Sequence, residues 1–256
     1  MSDILVCKGI GKKYKNKEAL KLVDLEIEKG KIYGLIGRNG AGKTTLLSVV
    51  TAQSKSTSGT VTLGGENVWE NQKVLDRLCF SRELNPVSGM GNNNMKVKEY
   101  LKIAATYYPN WDKEMAKKLV DEFELNVKQR ISKLSKGMMS MVTIIVALAS
   151  KSEFTFMDEP VAGLDVVARE QFYKLLLDEY DKTGRTFIIS THIIEEAADI
   201  FEEVVIMNDG NIILKENTVE LLERAYRISG KKEIVDEITS DLEIHHAENM
   251  GRSKGV

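Results

Sequence analysis

The sequence predicts an α/β fold in which a mostly parallel sheet is flanked by helices. Three observations support this prediction. Beyond residue 136, segments of helical and of strand character alternate, as they do in parallel sheets covered by helices. The first third of the chain shows the apolar–polar alternation of antiparallel strands, and residues of about 84–135 show helical spacing. We therefore expect an N-terminal antiparallel β subdomain and a helical insertion beside a parallel core.

The N-terminal third is predicted to contain several strands and one helix. Strands are expected at Ile4–Gly9 and in the stretches "ALKLVDLEIEKG" and "KIYGLIG". In the second of these stretches we expect four side chains to face inward: Leu20, Leu22, Leu25 and Ile27. A helix should begin at about Lys43 and run through "TTLLSVVTAQ", and strands should follow in "GTVTLGG" and "RLCFS".

The remainder of the chain is predicted to be helix-rich at first and then alternating. In the insertion, a polar loop "GMGNNNM" precedes helices at Lys96–Tyr108 and Trp111–Phe123. The elements expected after it are helices at Lys136–Ser150, Val166–Tyr180 and Ile193–Phe201, and strands at Phe154–Met157, Thr186–Ser190, Val204–Met207 and Ile212–Leu214. The last two strands should be joined by a hairpin turn at Asp209-Gly210. We expect one domain over residues 1–228, and a polar tail that frays over 229–256.

Composition argues against several functional classes. The 36 basic and 38 acidic residues give a net charge of −2 and form no basic stripe, so nucleic acid is not an expected partner. Cys7 and Cys79 have no metal-like spacing and are expected to be reduced thiols at buried or half-buried positions. The start of the chain does not have the pattern of a secretory signal, and the most apolar segment, Met138–Ala149, is too short to cross a bilayer.

The stretch "GRNGAGKTT", Gly37–Thr45, predicts a phosphate-binding loop and hence a P-loop NTPase core. It follows a predicted strand and opens a predicted helix, which an ordinary glycine-rich turn would not require. Glycines allow backbone N–H groups to surround an anion, Lys43 can neutralise phosphate, and the Thr44 hydroxyl can bind Mg²⁺. The expected nucleotide-binding residues here are Gly37, Asn39, Gly40, Ala41, Gly42, Lys43, Thr44 and Thr45.

The stretch "FTFMDEP" places two carboxylates directly after a buried strand. Burial of a carboxylate is costly unless a positive partner meets it. We expect Asp158 to face the Mg²⁺ of a bound nucleotide, and Glu159 to orient or deprotonate the attacking water. The alternative for Glu159 is a surface carboxylate just beyond the strand.

Three further stretches identify which phosphate-loop family the sequence resembles: "LSKGM" (134–138), "AGLD" (162–165) and "STH" (190–192). In this order they resemble the ATP-binding subunit of an ABC transporter, over residues of about 4–225. The Lys-Gly-Met signature and the short insertion look most like the stand-alone ATPases of small bacterial exporters, the YtrB-like group among them.

The resemblance implies a role for each matching residue. Tyr14 would stack on adenine, although an exposed strand tyrosine is the alternative. Ser135 and Gly137 would face the γ-phosphate of ATP bound to a partner subunit, and Asp165 would reach across the same dimer interface. His192, like Lys43 and Glu159 a candidate catalytic residue, would reach the γ-phosphate.

The sequence departs from the family pattern at two places. Lys136 and Met138 stand where the usual Leu-Ser-Gly-Gly-Gln signature has glycine and glutamine. In "LCFSRE", Glu83 stands where the family has a metal-sensing glutamine, or Arg82 does if the register slips by one residue. A carboxylate at this place can still approach Mg²⁺, so Glu83 is a candidate third metal ligand.

We accordingly expect an ATP-hydrolysing subunit that powers transport, in the direction of export, of a drug, peptide or lipid-like compound. Its expected cofactors are ATP and Mg²⁺, and its expected partners are a second ATPase subunit, in a homodimer or a heterodimer, and a separate membrane permease. The protein would be cytoplasmic and peripheral on the inner face of the membrane. Residues 84–96 would either dock on the permease or form a mobile loop.

Two other functions compete with transport. A phosphate-loop kinase or GTPase that acts alone would not need "LSKGM", and the guanine-reading Asn-Lys-x-Asp motif does not occur. A regulatory ATPase or a ribosome or nucleic-acid factor would use the same ATPase domain, often duplicated or with long added arms. This last alternative stays open on the sequence alone.

Overall fold

The computed structural model describes residues 3–15, 17–84, 95–193, 200–224, 228–239, 248–251 and 253–255. The chain forms two compact units, Met1–Glu216 and Asn217–Val256. The strands of the first unit are β1 (Ile4–Tyr14), β2 (Lys17–Glu28), β3 (Ile32–Ile36), β4 (Ser58–Leu63), β5 (Glu66–Asn67), β6 (Leu78–Ser81), β7 (Phe154–Asp158), β8 (Thr186–Thr191), β9 (Glu203–Asn208) and β10 (Asn211–Asn217). Its helices are α1 (Lys43–Val50), α2 (Gln72–Leu75), α3 (Val97–Tyr107), α4 (Lys113–Glu122), α5 (Lys136–Ala149) and α6 (Val166–Thr183).

The central sheet has six strands in the order β10-β9-β3-β8-β7-β6. Strand β3 pairs in parallel with β8 and β9, and β7 pairs in parallel with β6 and β8. Since parallel strands end at the same edge, the residues that follow β3, β7 and β8 come together there. The predicted mostly parallel sheet flanked by helices is confirmed.

The turn between β9 and β10 follows the prediction. Asp209 and Gly210 both have positive φ, 44° and 78°, as the two central residues of a type I′ hairpin turn require. The helix expected at 193–201 stays a prediction. Its described residues are Ile193 and residues 200 and 201.

The N-terminal strands form an antiparallel sheet in the order β2-β1-β4-β5, as expected. One predicted core residue is wrong: the Leu22 side chain is 68% exposed. Leu22 has a left-handed backbone, with φ 56°, and the pairing of β1 with β2 is irregular at this point. This bulge shifts the alternation by one residue, so Val23 is buried in place of Leu22 while Leu20 remains buried.

Two apolar clusters cover the two faces of the central sheet. On β3, Tyr33 and Leu35 join α1 and the antiparallel sheet in one cluster, while Ile32 and Ile36 join α5 and α6 in the other. Strand β3 is therefore buried on both faces, as a central parallel strand should be. This burial fixes the start of the loop that follows β3.

The helical insertion is also confirmed. Helix α4 begins after Asp112, whose carboxylate accepts a hydrogen bond from the Met115 N–H at 2.9 Å. At the start of α3, Glu99 accepts one from the Lys96 N–H, also at 2.9 Å. The predicted polar loop "GMGNNNM" lies outside the described residues except for Met95.

The second unit contains α7 (Thr218–Arg224), β11 (Ser229–Lys231), α8 (Lys232–Ile238), β12 (Glu248–Met250) and β13 (Ser253–Gly255). For residues 229–256 the sequence predicted a fraying tail, whereas the structure has the helix α8 within that range. Val235, with only 1% of its surface exposed, gives this short helix a buried anchor. The predicted domain limits, 1–228 and 229–256, stay a prediction. Among the described residues, no helix is both long enough and apolar enough to cross a bilayer.

Candidate active site

The phosphate loop connects β3 to α1 at the carboxyl edge of the sheet. The Gly37 N–H donates to the carbonyl of Thr191 at 3.3 Å, which ties the loop to the end of β8. Gly40 and Gly42 have φ of 86° and 110°, a left-handed conformation that glycine adopts without strain. Gly42 is the N-cap of α1 and has no side chain to cap it, so it gives the first-turn amides no side-chain acceptor.

Backbone atoms of other elements lie close to this loop. A methyl group on Gly37 would lie 2.6 Å from the Met207 carbonyl oxygen, and one on Gly42 would lie 2.9 Å from that of Ala19. The Gly210 N–H also donates to the Ala41 carbonyl at 2.9 Å. The loop is thus shaped by β9 and β2, and the motif's glycines are required by space as well as by conformation.

Lys43, the first residue of α1, is buried with 5% of its side chain exposed. Its ammonium group donates to the Gly37 carbonyl at 2.5 Å and lies 3.1 Å from Oε1 of Glu159. The loop therefore surrounds a buried positive charge, and Glu159 is its nearby carboxylate.

Asp158, the last residue of β7, is 6% exposed. Its Oδ1 accepts hydrogen bonds from the hydroxyls of Thr44, at 3.1 Å, and Ser190, at 2.7 Å. Burial raises the pKa of Asp158 above its ordinary value, the two hydrogen bonds oppose this, and the neighbouring charge of Glu159 adds to it. Asp158 thus stands beside a hydroxyl of the phosphate loop, and a cation there would favour its charged form. Its assignment to Mg²⁺ stays a prediction.

Glu159 follows Asp158 in a strained conformation, with φ 49°. Its N–H donates to the Ser190 hydroxyl at 2.9 Å, and its Oε2 lies 2.8 Å from Nδ1 of His192. Its Oε1 is buried and has no hydrogen-bond partner among the described residues. The Lys43 ammonium lies close to this oxygen, but at angles that do not suit a hydrogen bond. Oε2 is therefore held in place, and Oε1 can still accept a hydrogen bond.

An open depression of about 620 Å³ lies over the phosphate loop. It is lined by Arg38, Asn39, Gly40, Ala41, His192, Asn208 and Asp209. The His192 side chain is 51% exposed here. The fold therefore opens the loop to solvent on the side where His192 stands.

Tyr14 lies at the end of β1 and is 47% exposed. The Lys12 ammonium lies 4.9 Å from the centre of its ring. Tyr14 pairs with Lys17 of β2, the strand whose Ala19 packs against the phosphate loop. The ring is thus an exposed aromatic surface on the sheet beside the loop.

The residues of "LSKGM" and "AGLD" pack on each other. A methyl group on Gly137 would lie 2.6 Å from the Gly163 carbonyl oxygen, and the Ser140 hydroxyl donates to the Ala162 carbonyl at 2.7 Å. Ser135 is exposed and caps α5 by accepting from the Met138 N–H at 3.2 Å. The start of α5 and the loop before α6 therefore form one packed surface.

Asp165 is exposed and caps α6, because its Oδ1 accepts from the Ala168 N–H at 2.8 Å. This is the structural role that its position alone would suggest.

Among the described residues, no hydrogen bond joins Glu83 to Thr44 or Asp158. Its Oε1 instead lies 3.3 Å from the Lys136 ammonium, with both side chains about half exposed. The positive charge near Asp158 on this segment is that of Arg82, which favours the ionised form of Asp158. The assignment of Glu83 as a metal ligand stays a prediction.

The sequence stretch "STH" pointed to His192 but not to Ser190. Ser190 is fully buried, donates to Asp158 and accepts from Glu159, so it holds both carboxylates in place. Strands β7 and β8 pair with Asp158 opposite Ser190. The sequence signal that could have identified Ser190 is a polar residue at the end of the strand next to β7.

The comparison with known families identifies the family of the chain. The family model for ABC transporters matches residues 20–162, which is more than half of the 256 residues. The chain belongs to the ABC transporter family, as the ATP-binding subunit, and is an ATPase. The resemblance drawn from the motifs is confirmed.

The relatives of the chain include several named transport ATPases. YtrB of Bacillus subtilis is 27% identical, over 86% of this chain and 74% of the relative. The bacitracin transport protein BcrA of Enterococcus faecalis is 30% identical, over 88% and 72%. The methionine import protein MetN 2 of Oenococcus oeni is also 30% identical, over 95% and 76%. Importers therefore stand among the relatives beside a bacitracin transporter.

Solved structures share the fold. An ATP-binding subunit of an ABC transporter has a TM-score of 0.72 at 22% identity and covers 86% of this chain and 92% of its own. A dimeric ATP-binding cassette in a post-hydrolysis state, bound to ADP and Pi, has a TM-score of 0.71 at 22% identity and covers 87% and 100%. At these identities the likeness shows the α/β cassette fold alone.

Proposed function

We propose that this ATPase powers export of a drug, peptide or lipid-like compound through a separate membrane permease. The observation that carries the ATPase mechanism is the convergence of Lys43, Asp158, Glu159 and His192 at the edge where β3, β7 and β8 end. The proposed direction of transport rests on the Lys-Gly-Met signature, which resembles that of small bacterial exporters, and the relative named for bacitracin transport adds to it.

ATP would bind with its phosphates on the loop Gly37–Thr45. The amides at the start of α1 and the Lys43 ammonium would supply the positive charge for this, and the exposed ring of Tyr14 would supply a stacking surface for adenine. The exposed Asn39 and Gly40 lie at the rim of the depression, which leaves them free to follow the triphosphate.

The residues present fit Mg²⁺. Its preference is for a few hard oxygen ligands, with waters and substrate phosphates completing the coordination. The Thr44 hydroxyl and the Asp158 carboxylate are already side by side, and we assign both to the ion with Glu83 as a third candidate. No group of three or more His, Cys, Asp or Glu side chains suited to a metal occurs among the described residues. The ion would neutralise phosphate charge.

For hydrolysis, Glu159 is the residue that accepts a hydrogen bond or proton from the attacking water. Its Oε2 is oriented by His192, and its Oε1 remains without a hydrogen bond among the described residues. Lys43 stabilises charge on the phosphoryl oxygens, and the exposed part of His192 can reach the terminal phosphate. Positioning and charge stabilisation are the main requirements of phosphoryl transfer.

The second half of each site would come from another copy of the chain. Ser135 and Asp165 are exposed, and the neighbouring Val166 and Val167 expose 67% and 74% of their side chains. Exposed aliphatic residues beside polar ones are typical of a surface that a partner covers. In a closed two-fold dimer, Ser135 and Gly137 of each copy would face the nucleotide of the other.

The permease would be met by the helical insertion. On α3, Ile103 and Tyr107 expose 42% and 76% of their side chains. Through this contact with the permease, the protein would lie on the cytoplasmic face of the membrane.

The test is to co-express the chain with a multi-span membrane protein encoded beside its gene. The chain should then sediment with membranes and release phosphate from ATP, and inside-out vesicles should take up a labelled candidate cargo only with ATP. Without the membrane protein, membrane association should be lost. Sedimentation that instead depends on RNA would support the regulatory or ribosome-associated ATPase.

A further inference from the structure

Lys136 stands where two functional segments of one chain meet. It is the first residue of α5, between Ser135 and Gly137 of the signature, and 56% of its side chain is exposed. Its ammonium lies 3.3 Å from Oε1 of Glu83, at the place of the metal-sensing residue. Both residues depart from the usual family pattern, and their opposite charges are matched to each other.

The stem of Lys136 is fixed although its charge is exposed. A methyl group on Gly163 would come within 2.8 Å of Cγ of Lys136, so the stem packs on the loop before α6. The side chain thus has a defined starting point, and only its end is free to move between partners.

The segment that carries Glu83 is attached to α5 at two points of different character. The buried Ser81 hydroxyl donates to the Thr143 carbonyl at 2.7 Å, two turns further along the helix than Lys136. That hydrogen bond is shielded from water and holds β6 against α5. The pair of Glu83 with Lys136 is exposed to water, so it can break without opening the core.

An exposed ion pair contributes about 0–1 kcal/mol, because water and salt compete with it. A phosphate oxygen in an interface that excludes water is a stronger partner for an ammonium group. The position of Lys136 beside Ser135 and Gly137 means that an anion reaching the signature also comes within the reach of this lysine.

From these contacts we propose that Lys136 is a charge switch, which pairs with Glu83 in the open subunit and transfers to the terminal phosphate of the partner's ATP when two copies close. The proposal rests on the proposed two-copy arrangement. It assigns to Lys136 a positioning contact made across the interface, and to Glu83 the role of a competitor that holds the lysine until nucleotide arrives.

Two substitutions should therefore have opposite effects on closure. In Lys136→Ala the phosphate contact is lost from both sites. In Glu83→Gln the competing negative charge is lost, while Lys136 remains and the side-chain amide keeps an oxygen that can still face Mg²⁺. A merely structural ion pair would make both substitutions weaken closure alike.

The experiment measures ATP-dependent dimerisation by sedimentation velocity in the Glu159→Gln background, at saturating ATP and Mg²⁺. We expect Lys136→Ala to weaken the dimer about tenfold or more, Glu83→Gln to tighten it about two- to fivefold, and the double variant to behave like Lys136→Ala. Lys136→Arg should restore most of the dimer. The salt dependence of dimerisation should be shallower in Lys136→Ala.

Lys113→Ala is the matched control, since Lys113 is also an exposed lysine at the first position of a helix, α4. It should leave dimerisation unchanged. The inference is overturned if Lys136→Ala matches this control, or if Glu83→Gln and Lys136→Ala both weaken the dimer. If the background variant itself does not dimerise with ATP, the proposed two-copy function fails and this inference fails with it.

Discussion

The Lys43 ammonium lies 3.1 Å from Oε1 of Glu159, on the side chain whose other oxygen contacts His192. The charge that would bind phosphate and the carboxylate that would bind water are therefore neighbours. When phosphate oxygens take Lys43 as their partner, Glu159 loses a competing cation and becomes the better acceptor for water. This relationship links binding to readiness for hydrolysis.

Lys43→Ala should weaken ATP binding strongly while leaving the fold intact. The substitution removes the one buried ammonium that the described phosphate loop contains, so the triphosphate loses a charge-assisted contact worth about 1.5–3 kcal/mol, or roughly 10- to 150-fold in affinity. Titration calorimetry with a non-hydrolysable ATP analogue measures this. Lys117→Ala, at an exposed position of α4, is the control. Unchanged affinity in Lys43→Ala would contradict the phosphate-loop assignment.

Ser190→Ala should both destabilise the fold and slow hydrolysis. The buried hydroxyl bonds to Asp158 and to the Glu159 N–H, so its loss leaves two buried groups short of a partner, at a cost of about 1–3 kcal/mol. Urea unfolding and phosphate release measure the two effects.

Ser48→Ala is a matched control, because that hydroxyl bonds, among the described residues, to the Thr44 carbonyl one turn earlier in α1. Its cost should be well below that of Ser190→Ala. Equal effects of the two substitutions would show that Ser190 does not hold the carboxylates in place.

Gly137→Ala should disturb the signature surface. The added methyl group would lie 2.6 Å from the Gly163 carbonyl oxygen, so α5 and the loop before α6 must separate, at a cost of about 1–3 kcal/mol. Thermal unfolding and ATP-dependent dimerisation should both decline. Gly230→Ala is the control, since its methyl group would meet its nearest neighbour, Val235, at an ordinary 3.6 Å. A variant with normal stability and dimerisation would contradict this packing.

Acid should destabilise the fold partly through Glu153. Burial opposes the ionisation of this carboxyl, but hydrogen bonds from Arg77 and Lys29 outweigh it, so the pKa of Glu153 lies below its ordinary value of 4.5. A lowered pKa in the folded state means that the interaction stabilises the protein above pH 4.5 and is lost as the pH falls through the lower folded value.

Arg77→Met should therefore lower the free energy of unfolding at pH 7 and flatten its decline between about pH 5 and 3. Urea titrations across this range give the comparison with the parent, and Arg130→Met, at an exposed position, is the control. A decline as steep as in the parent would remove Glu153 from the acid response.

Local motifs account for what the sequence predicted well. The phosphate loop, the start of α1 at Lys43 and the hairpin at Asp209-Gly210 depend on backbone conformations that a few adjacent residues determine. The acidic end of β7 was predicted for the same reason. The order of the parallel strands then brought these local features to one edge.

The features that the sequence missed depend on contacts between distant segments. Leu22 was expected inside because its spacing from Leu20 fits a regular strand, and a left-handed bulge in a non-glycine residue leaves no mark in that pattern. Ser190 becomes important only through the pairing of β7 with β8. The pairing of Glu83 with Lys136 likewise joins positions 53 residues apart, as their numbers show.

Phosphate release by purified Glu159→Gln tests the central claim most directly, with Glu170→Gln, at an exposed position on α6, as the control. We predict that hydrolysis falls by about 10²–10⁴-fold in Glu159→Gln, while ATP still binds and still drives two copies together, and that Glu170→Gln turns over normally. Turnover by Glu159→Gln at the rate of the parent would contradict the account.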